Sequence, residues 1–405
     1  MKKNLIVVLI FTFIMNILNN LGHPVTPSFV GSLNIPDYMF GVFFATMSLG
    51  MMLSAPLWGA LSDNGSTKKY IIIGVLIYAV AQLGFGLVHN KYLMVGFRFL
   101  GGVGVGAPMT LLISLVVGHS DKNRATSLSI MAALSTLGAS VGYKLGGSLG
   151  DSEFYKQLIN TPSYENVFIF QFVGLVIFSL LVFIFIKDYK KENRVQRSKN
   201  PFSALAKIKT LDVRLIIFLI SLSMITIGST NLSKYIDVYF RDLNLSTTSL
   251  GDFVFVTGLV SVVTSIFIAP LVAKIKKQLT VIIIIQVLSA LIVFYVFRVD
   301  KNSFLFTIYT VYNIYVMLKA IYLPLEQNLI SSQADEESIG TVIGIRQSFI
   351  SIGNVIGPLF GGVLYSIRPL LLFDVSGVFF LIGGLLLILI LNINKKRDPE
   401  ISDAN

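Results

Sequence analysis

The chain has 405 residues, of which 54% are hydrophobic and 13% charged, with a formal net charge of +11. Soluble domains carry about 25% charged residues, so this composition excludes a soluble globular protein and points to one built into a lipid bilayer. Cysteine is absent and only three histidines occur, which leaves no disulfide framework, no thiol chemistry and no Cys-based or His-rich metal site to expect.

A membrane-spanning helix needs about 20 apolar residues. Stretches of that kind cover 5–29, 38–62, 70–88, 92–117, 124–148, 166–186, 214–240, 248–273, 279–297, 303–330, 340–366 and 369–393. Met1-Lys2-Lys3 followed by an apolar run resembles a signal peptide, but no small-residue cleavage pattern follows, so a retained first span is expected. Lys2, Lys3, Lys68, Lys69, Lys122, Arg124, Lys274, Lys276, Lys277 and Lys395 to Arg397 all fall in one alternating set of loops. That set, with both termini, is therefore expected on the cytoplasmic side, and the positive charge is a topology signal, not a nucleic-acid signal.

The expected fold is all-α: twelve transmembrane helices in two pseudo-symmetric six-helix bundles, 1–186 and 212–405. A basic cytoplasmic linker, 187–211, joins them. Its lysines and arginines suit either a short amphipathic helix on an anionic leaflet or a plain solvated tether.

Span 1 places Thr12, Asn16, Asn19, Asn20 and His23 within an arc of roughly 80°. Asparagines do not suit lipid, so this stripe either bonds helices together or lines an aqueous cavity. Pro24 and Pro27 should kink or end the span. After span 2 the chain reads Gly59-Ala-Leu-Ser-Asp63, where glycine permits a tight turn and the carboxylate can accept from a helix N-terminus. Span 4 carries a membrane-embedded cation in Arg98-Phe-Leu-Gly101-Gly102.

Span 5 reads Gly138-Ala-Ser-Val-Gly142-Tyr143-Lys144-Leu-Gly146-Gly147, and span 11 reads Gly353-Asn-Val-Ile-Gly357-Pro358-Leu-Phe-Gly361-Gly362. The fifth span of each half thus repeats one glycine pattern, the internal-repeat signal of secondary transporters. Lys144 is expected to snorkel. Span 7 lines up Ser223, Thr226, Ser229, Thr230, Ser233, Asp237 and Arg241, with Lys234 at the edge, and Asp237 and Arg241 are spaced to pair.

Span 10 sets Tyr312, Tyr315, Lys319, Tyr322 and Glu326 on one face, again within roughly 80°. A charge at mid-bilayer costs about 2.5–3.5 kcal/mol or more, so Lys319 should face a protein interior or water. Lys319 and Glu326 stand about 10 Å apart along the axis, too far to pair directly. Arg346 on span 11 could neutralise Glu326 or snorkel.

Two six-span halves, a basic middle loop and these motifs resemble the major facilitator superfamily over almost the whole chain. Within it, the closest resemblance is to the twelve-span drug/proton antiporter branch. The loop after span 2 is similar to the signature Gly-x-x-x-Asp-Arg-x-Gly-Arg-Lys: Gly59 and Asp63 match, while Asn64 and Thr67 replace its arginines. Arg98 to Gly102 matches the span-4 motif. Span 11 carries the antiporter motif Gly-x-x-x-Gly-Pro-x-x-Gly-Gly intact, whereas span 5 has Tyr143 in place of the proline.

The resemblance implies that spans 1, 4, 7 and 10 line a central cavity, which would hold Asn16, Asn19, Asn20, Arg98, Thr226, Thr230, Tyr315, Lys319 and Tyr322 against a substrate. It implies proton coupling, for which Glu326 and His23 are the titratable candidates. Gly59, Asp63, Gly138, Gly142, Gly353, Gly357 and Pro358 are then conformational-motif positions. The cavity leans positive, so the expected substrate is an amphipathic neutral or anionic small molecule. It would leave by drug-efflux-like antiport across a bacterial cell membrane, through a monomer that uses no cofactor. Three readings stay open beside it: an importer of a sugar or metabolite, a translocator of lipids or lipid-linked glycans, and a non-transporting sensor. No nucleophile–base pair or phosphate-cradling loop appears, so neither an enzyme nor an ATP-driven pump is expected.

Overall fold

The computed structural model describes residues 3–120, 124–151, 164–188, 211–331 and 339–397. Most of the predicted linker lies outside these, as do 332–338, Lys2, Lys122 and Lys156. The helices are α1 (Lys3–Asn20), α2 (Thr26–Ser32), α3 (Tyr38–Asn64), α4 (Thr67–Leu87), α5 (Lys91–His119), α6 (Arg124–Asp151) and α7 (Glu165–Phe185). They continue with α8 (Val213–Asp242), α9 (Thr247–Val263), α10 (Ala269–Val272), α11 (Gln278–Val296), α12 (Lys301–Ser331), α13 (Ile339–Ile367) and α14 (Pro369–Arg397). Twelve helices are long and apolar enough to cross a membrane among the described residues, and no strand occurs there.

Local chemistry sets the helix ends. Pro24 ends the first span as expected: α1 stops at Asn20 and α2 restarts with Pro27 in its first turn. Asn90 caps α5 by accepting from the Tyr92 and Leu93 amides. At the start of α4 the acceptors are Ser66, bonded by the Lys69 amide at 3.1 Å, and Asp188, bonded by the Lys68 amide at 2.8 Å. The predicted span 248–273 is not one regular helix. Pro270 lacks the N–H that would continue the ladder, and the chain widens into a π turn over Thr264–Ile268 between α9 and α10.

Contacts divide the chain into two compact units: Met1–Pro201 with Asp237–Gly258, and Phe202–Ile236 with Leu259–Asn405. In the first unit α5 packs on α3 and α4, α4 on α7, and α1 on α6. Small residues permit this closeness. A Cβ on Gly104 would lie 2.5 Å from the Tyr78 amide nitrogen, so α4 and α5 touch backbone to backbone. The segment Asp237–Gly258 joins this unit through α6: Thr247 donates to the Gly147 carbonyl at 2.9 Å and Asp151 accepts from the Thr248 amide at 2.8 Å. In the second unit α11 packs on α12 and α14, and Phe297 stacks on Phe373 with ring centres 3.5 Å apart.

The repeat read from the glycines has a structural basis. Gly138, Gly142 and Gly146 of α6 lie against the carbonyls of Phe13 and Ile17 in α1 and of Leu21 just after it. Gly353, Gly357 and Gly361 of α13 lie against Thr226, Ile227 and Asn231 of α8. A second repeat went unread. Asn34 follows α2 with φ 53° and Asn244 follows α8 with φ 55°. Each closes its helix the same way: the Asn34 and Ile35 amides bond back to Gly31 and Val30, those of Asn244 and Leu245 to Arg241 and Phe240. Asparagine tolerates this left-handed turn better than other residues with a Cβ.

Candidate functional site

Residues of the second unit line a half-open cavity of about 280 Å³, at the small end of ligand pockets. Four residues of the predicted α12 stripe, Tyr315, Lys319, Tyr322 and Glu326, line it. The fifth, Tyr312, packs at the stripe's end against Tyr315 and Phe297. From α8 come Thr226, Thr230 and Lys234, and from α13 Arg346 and Asn354. The side chains of Leu222, Ile225 and Phe380 supply apolar wall.

Arg346 neutralises Glu326 and does not snorkel. Its Nε and Nη2 donate to the two carboxylate oxygens at 2.7 and 2.5 Å, with Glu326 0% and Arg346 11% exposed. This planar two-bond fork is the strongest arrangement open to the pair. Thr230 donates to Asn354 Oδ1 at 3.0 Å, which leaves the Asn354 amide hydrogens for other acceptors. Thr226 bonds back to the Leu222 carbonyl at 2.7 Å.

Lys319 forms no ion pair among the described residues. The Lys234 ammonium acts on it repulsively. Gln286 and Ser289 of α11 also line the cavity. Sequence reading passed over them, although a lone amide inside an apolar span has to find a polar partner or water.

In the first unit Arg98 is buried. Its guanidinium donates to Thr26 Oγ1 at 3.4 Å and Gln82 Oε1 at 3.5 Å and lies 3.6 Å above the Phe85 ring. Gln82 in turn donates to Gln171 Oε1 at 3.0 Å, and Gln171 donates to the Leu18 carbonyl at 2.6 Å. Tyr78 donates to the Asn19 carbonyl at 3.1 Å. Arg98 thus belongs to an amide-rich network that stitches α1, α4, α5 and α7 together. The lone glutamines in spans 3 and 6 were its unread signal.

The span-1 stripe divides. Asn16 and Asn20 donate to carbonyls four residues back, each at 2.8 Å. Their Cβ atoms rest where Gly138 and Gly142 leave room on α6, so these two asparagines sit in the α1–α6 helix contact. The His23 ring lies flat between Phe44 and Tyr143, with centroids 5.5 and 5.6 Å away.

One predicted side-chain pairing is corrected. Arg241 does not pair with Asp237: its guanidinium bonds Asp37 at 2.7 Å and Asp242 at 2.6 Å, both nearer its tip. Asp237, 1% exposed, instead accepts from the Tyr143 hydroxyl at 3.0 Å. The tyrosine that displaces the motif's proline therefore brings a donor to a buried carboxylate. Lys144 is half exposed, pairs with Asp252 at 3.0 Å and lies over the Phe255 ring. Removing the Tyr143 hydroxyl as Tyr143→Phe should lower the unfolding free energy by about 1–3 kcal/mol, since Asp237 loses a donor in a dry site. Thermal unfolding of the purified variant checks this, and an unchanged midpoint would show that the bond adds nothing.

The remaining motif residues fall at helix contacts and ends. Gly59 is buried in the last turns of α3, with Asp63 one residue from its end. Gly353 and Gly357 face α8, and the Pro358 carbonyl accepts from Tyr235 at 3.2 Å.

Comparison with known proteins agrees with this architecture. The family model described as Major Facilitator Superfamily matches residues 6–318 and 314–404. Among curated relatives, the quinolone resistance protein NorA of Staphylococcus aureus (strain MSSA476) is 23% identical over 372 residues, covering 91% of both chains. The multidrug resistance protein MdtG of Enterobacter lignolyticus (strain SCF1) is 24% identical over 394 residues, covering 94% of this chain and 90% of that relative. Among solved structures, an inward-facing, occupied bacterial homologue of the human lysosomal transporter Spinster has a TM-score of 0.75 at 13% identity, covering 97% and 98%. The nucleoside transporter NupG has a TM-score of 0.74 at 13% identity, covering 96% and 100%.

Proposed function

Because the chain belongs to the major facilitator superfamily, and is therefore a multi-pass membrane transporter and not an enzyme, we propose that it exports an amphipathic neutral or anionic small molecule in exchange for protons. The observation that carries this reading is the cavity of the second unit, where two ammonium groups, two tyrosine hydroxyls and two side-chain amides stand beside apolar wall inside membrane-spanning helices. The resistance functions in the names of the curated relatives support the export direction.

In this reading the two halves, 1–186 and 212–405, open the route to each side in turn, with the linker and both termini in the cytoplasm and the chain acting as a monomer in the cell membrane. Thr226, Thr230, Tyr315, Lys319 and Tyr322 hold the substrate. Glu326 and His23 carry the coupling. A proton on Glu326 would release Arg346, so protonation turns a neutral ion pair on the wall into an uncompensated cation. The conformational-motif glycines and Asp63 let helices slide as the halves move.

The test is flux in inverted membrane vesicles whose lumen is acidified. A panel of amphipathic fluorescent dyes should enter the lumen, release protons on entry, and stop entering once an ionophore collapses the pH gradient. Uptake into right-side-out vesicles instead would make the chain an importer, and absence of any gradient-dependent flux would favour a sensor.

A further inference from the structure

The geometry points to an anion-recognition site in the cavity of the second unit, with Lys319 as its cationic anchor and the Tyr315 hydroxyl and Asn354 amide as neutral donors, taking the carboxylate or phosphate-monoester head of an amphipathic molecule. This rests on the export reading and narrows its substrate from neutral or anionic to anionic.

The one buried carboxylate on the cavity wall, Glu326, is already held by both arms of Arg346. It is not available to a cationic ligand, and it does not balance Lys319. Lys319 forms no ion pair among the described residues and faces a second ammonium, Lys234, on the same wall. An ammonium with no acidic partner on a membrane-spanning helix is best satisfied by a charged acceptor.

Tyr315 supplies the second, independent observation. It is 4% exposed and lines the cavity, yet its hydroxyl has no hydrogen-bond partner. Buried hydroxyls are nearly always partnered, so this one is placed for something that enters the cavity. It stands one turn from Lys319 on the same helix face, so one compact head group can meet both. Leu222, Ile225 and Phe380 give the apolar body its wall. The modest volume, about 280 Å³, suits a head group with a small ring or short chain.

The test is binding to the purified full-length chain, read as thermal stabilisation at fixed ionic strength. The probes form a matched series: phenyl phosphate, phenylacetate, neutral phenylacetamide and cationic phenethylammonium. At least one of the two anions should stabilise the protein in a saturable way, with the amide and the cation much weaker. Whichever anion acts at the lower concentration identifies the head group. Lys319→Gln should raise its half-saturating concentration about tenfold or more, and Lys319→Arg should restore it to within a few-fold. Tyr315→Phe should weaken the anion and leave the amide unchanged.

Equal stabilisation by all four probes, preference for the cation, or undiminished anion binding in Lys319→Gln would overturn the site. Should Lys319→Gln fail to fold, the wild-type series with Lys319→Arg and Tyr315→Phe still decides. Repeating the titration in phosphatidylcholine nanodiscs with and without phosphatidic acid separates the two sources of such a head group. Competition by the lipid marks a bilayer phospholipid as occupant, and its absence marks a soluble anion. No gradient enters this assay. Anion binding without vesicle flux sinks only the export reading, and gradient-driven flux without anion preference sinks only the site.

Discussion

Replacing Arg346 by methionine is expected to destabilise the protein by about 3–5 kcal/mol, because Glu326 would stay behind as a buried carboxylate with no counter-charge. Glu326 is 0% exposed and both of its oxygens are bonded by Arg346, so water cannot replace the lost partner without opening the helices. The two sides of the pair are not equivalent. Arg346 keeps 11% exposure and lines the cavity, so Glu326→Gln leaves a cation that can hydrate and an amide that can still bond it. That variant should therefore fold and reach the membrane, with a smaller loss of stability, while proton-coupled export disappears. The double variant Glu326→Gln with Arg346→Met removes both charges and should recover much of what Arg346→Met loses. Thermal unfolding of the three purified variants, beside vesicle flux for Glu326→Gln, separates the two roles. A loss below about 1 kcal/mol in Arg346→Met would mean that Glu326 is not held as a buried charge, and wild-type flux in Glu326→Gln would end its part in coupling.

The fold was legible because bilayer physics leaves few choices. Long apolar runs between polar loops can only be helices, and twelve were found close to where hydropathy put them. The α12 stripe was legible for the same reason: Lys319 and Glu326 are intolerable toward lipid, and helical periodicity alone places the tyrosines beside them. What the sequence withheld were partners. Whether Arg346 meets Glu326 depends on how α12 and α13 pack, which no spacing within either helix encodes. Arg241 looked paired with Asp237 because they are four apart, yet Asp37, distant in sequence, lies within 2.7 Å of it. Local spacing is a weak guide wherever a long guanidinium can reach a second helix. Gln82 and Gln171 were passed over because neutral amides carry no charge to mark them, although their mutual bond is what positions Arg98. The paired asparagine turns at Asn34 and Asn244 were missed because a single residue with positive φ leaves no periodic trace.

The glycine repeat has unequal halves, and a pair of alanine substitutions should expose the difference. At Gly138 a Cβ would sit 2.5 Å from the Phe13 carbonyl oxygen and 3.0 Å from Asn16 Cβ. The first obstacle is backbone, so relief requires α1 to move bodily away from α6. Overpacking of that kind costs about 1–3 kcal/mol and occasionally more. At Gly357 the nearest atoms to an added Cβ are the Ile227 carbonyl oxygen at 3.3 Å and its Cα at 3.4 Å, so a shift of a few tenths of an ångström suffices. There alanine also gains helix propensity over glycine, up to about 1 kcal/mol, which offsets the crowding. Gly138→Ala should therefore lower the unfolding midpoint by several degrees, at about 2–4 °C per kcal/mol for a unit of roughly 200 residues. Gly357→Ala should stay within about a degree of wild type. The same order is expected in flux, because the crowded α1 leads directly into the turn that holds His23. Equal midpoints for the two variants would show that α1 and α6 are not in backbone contact at Gly138.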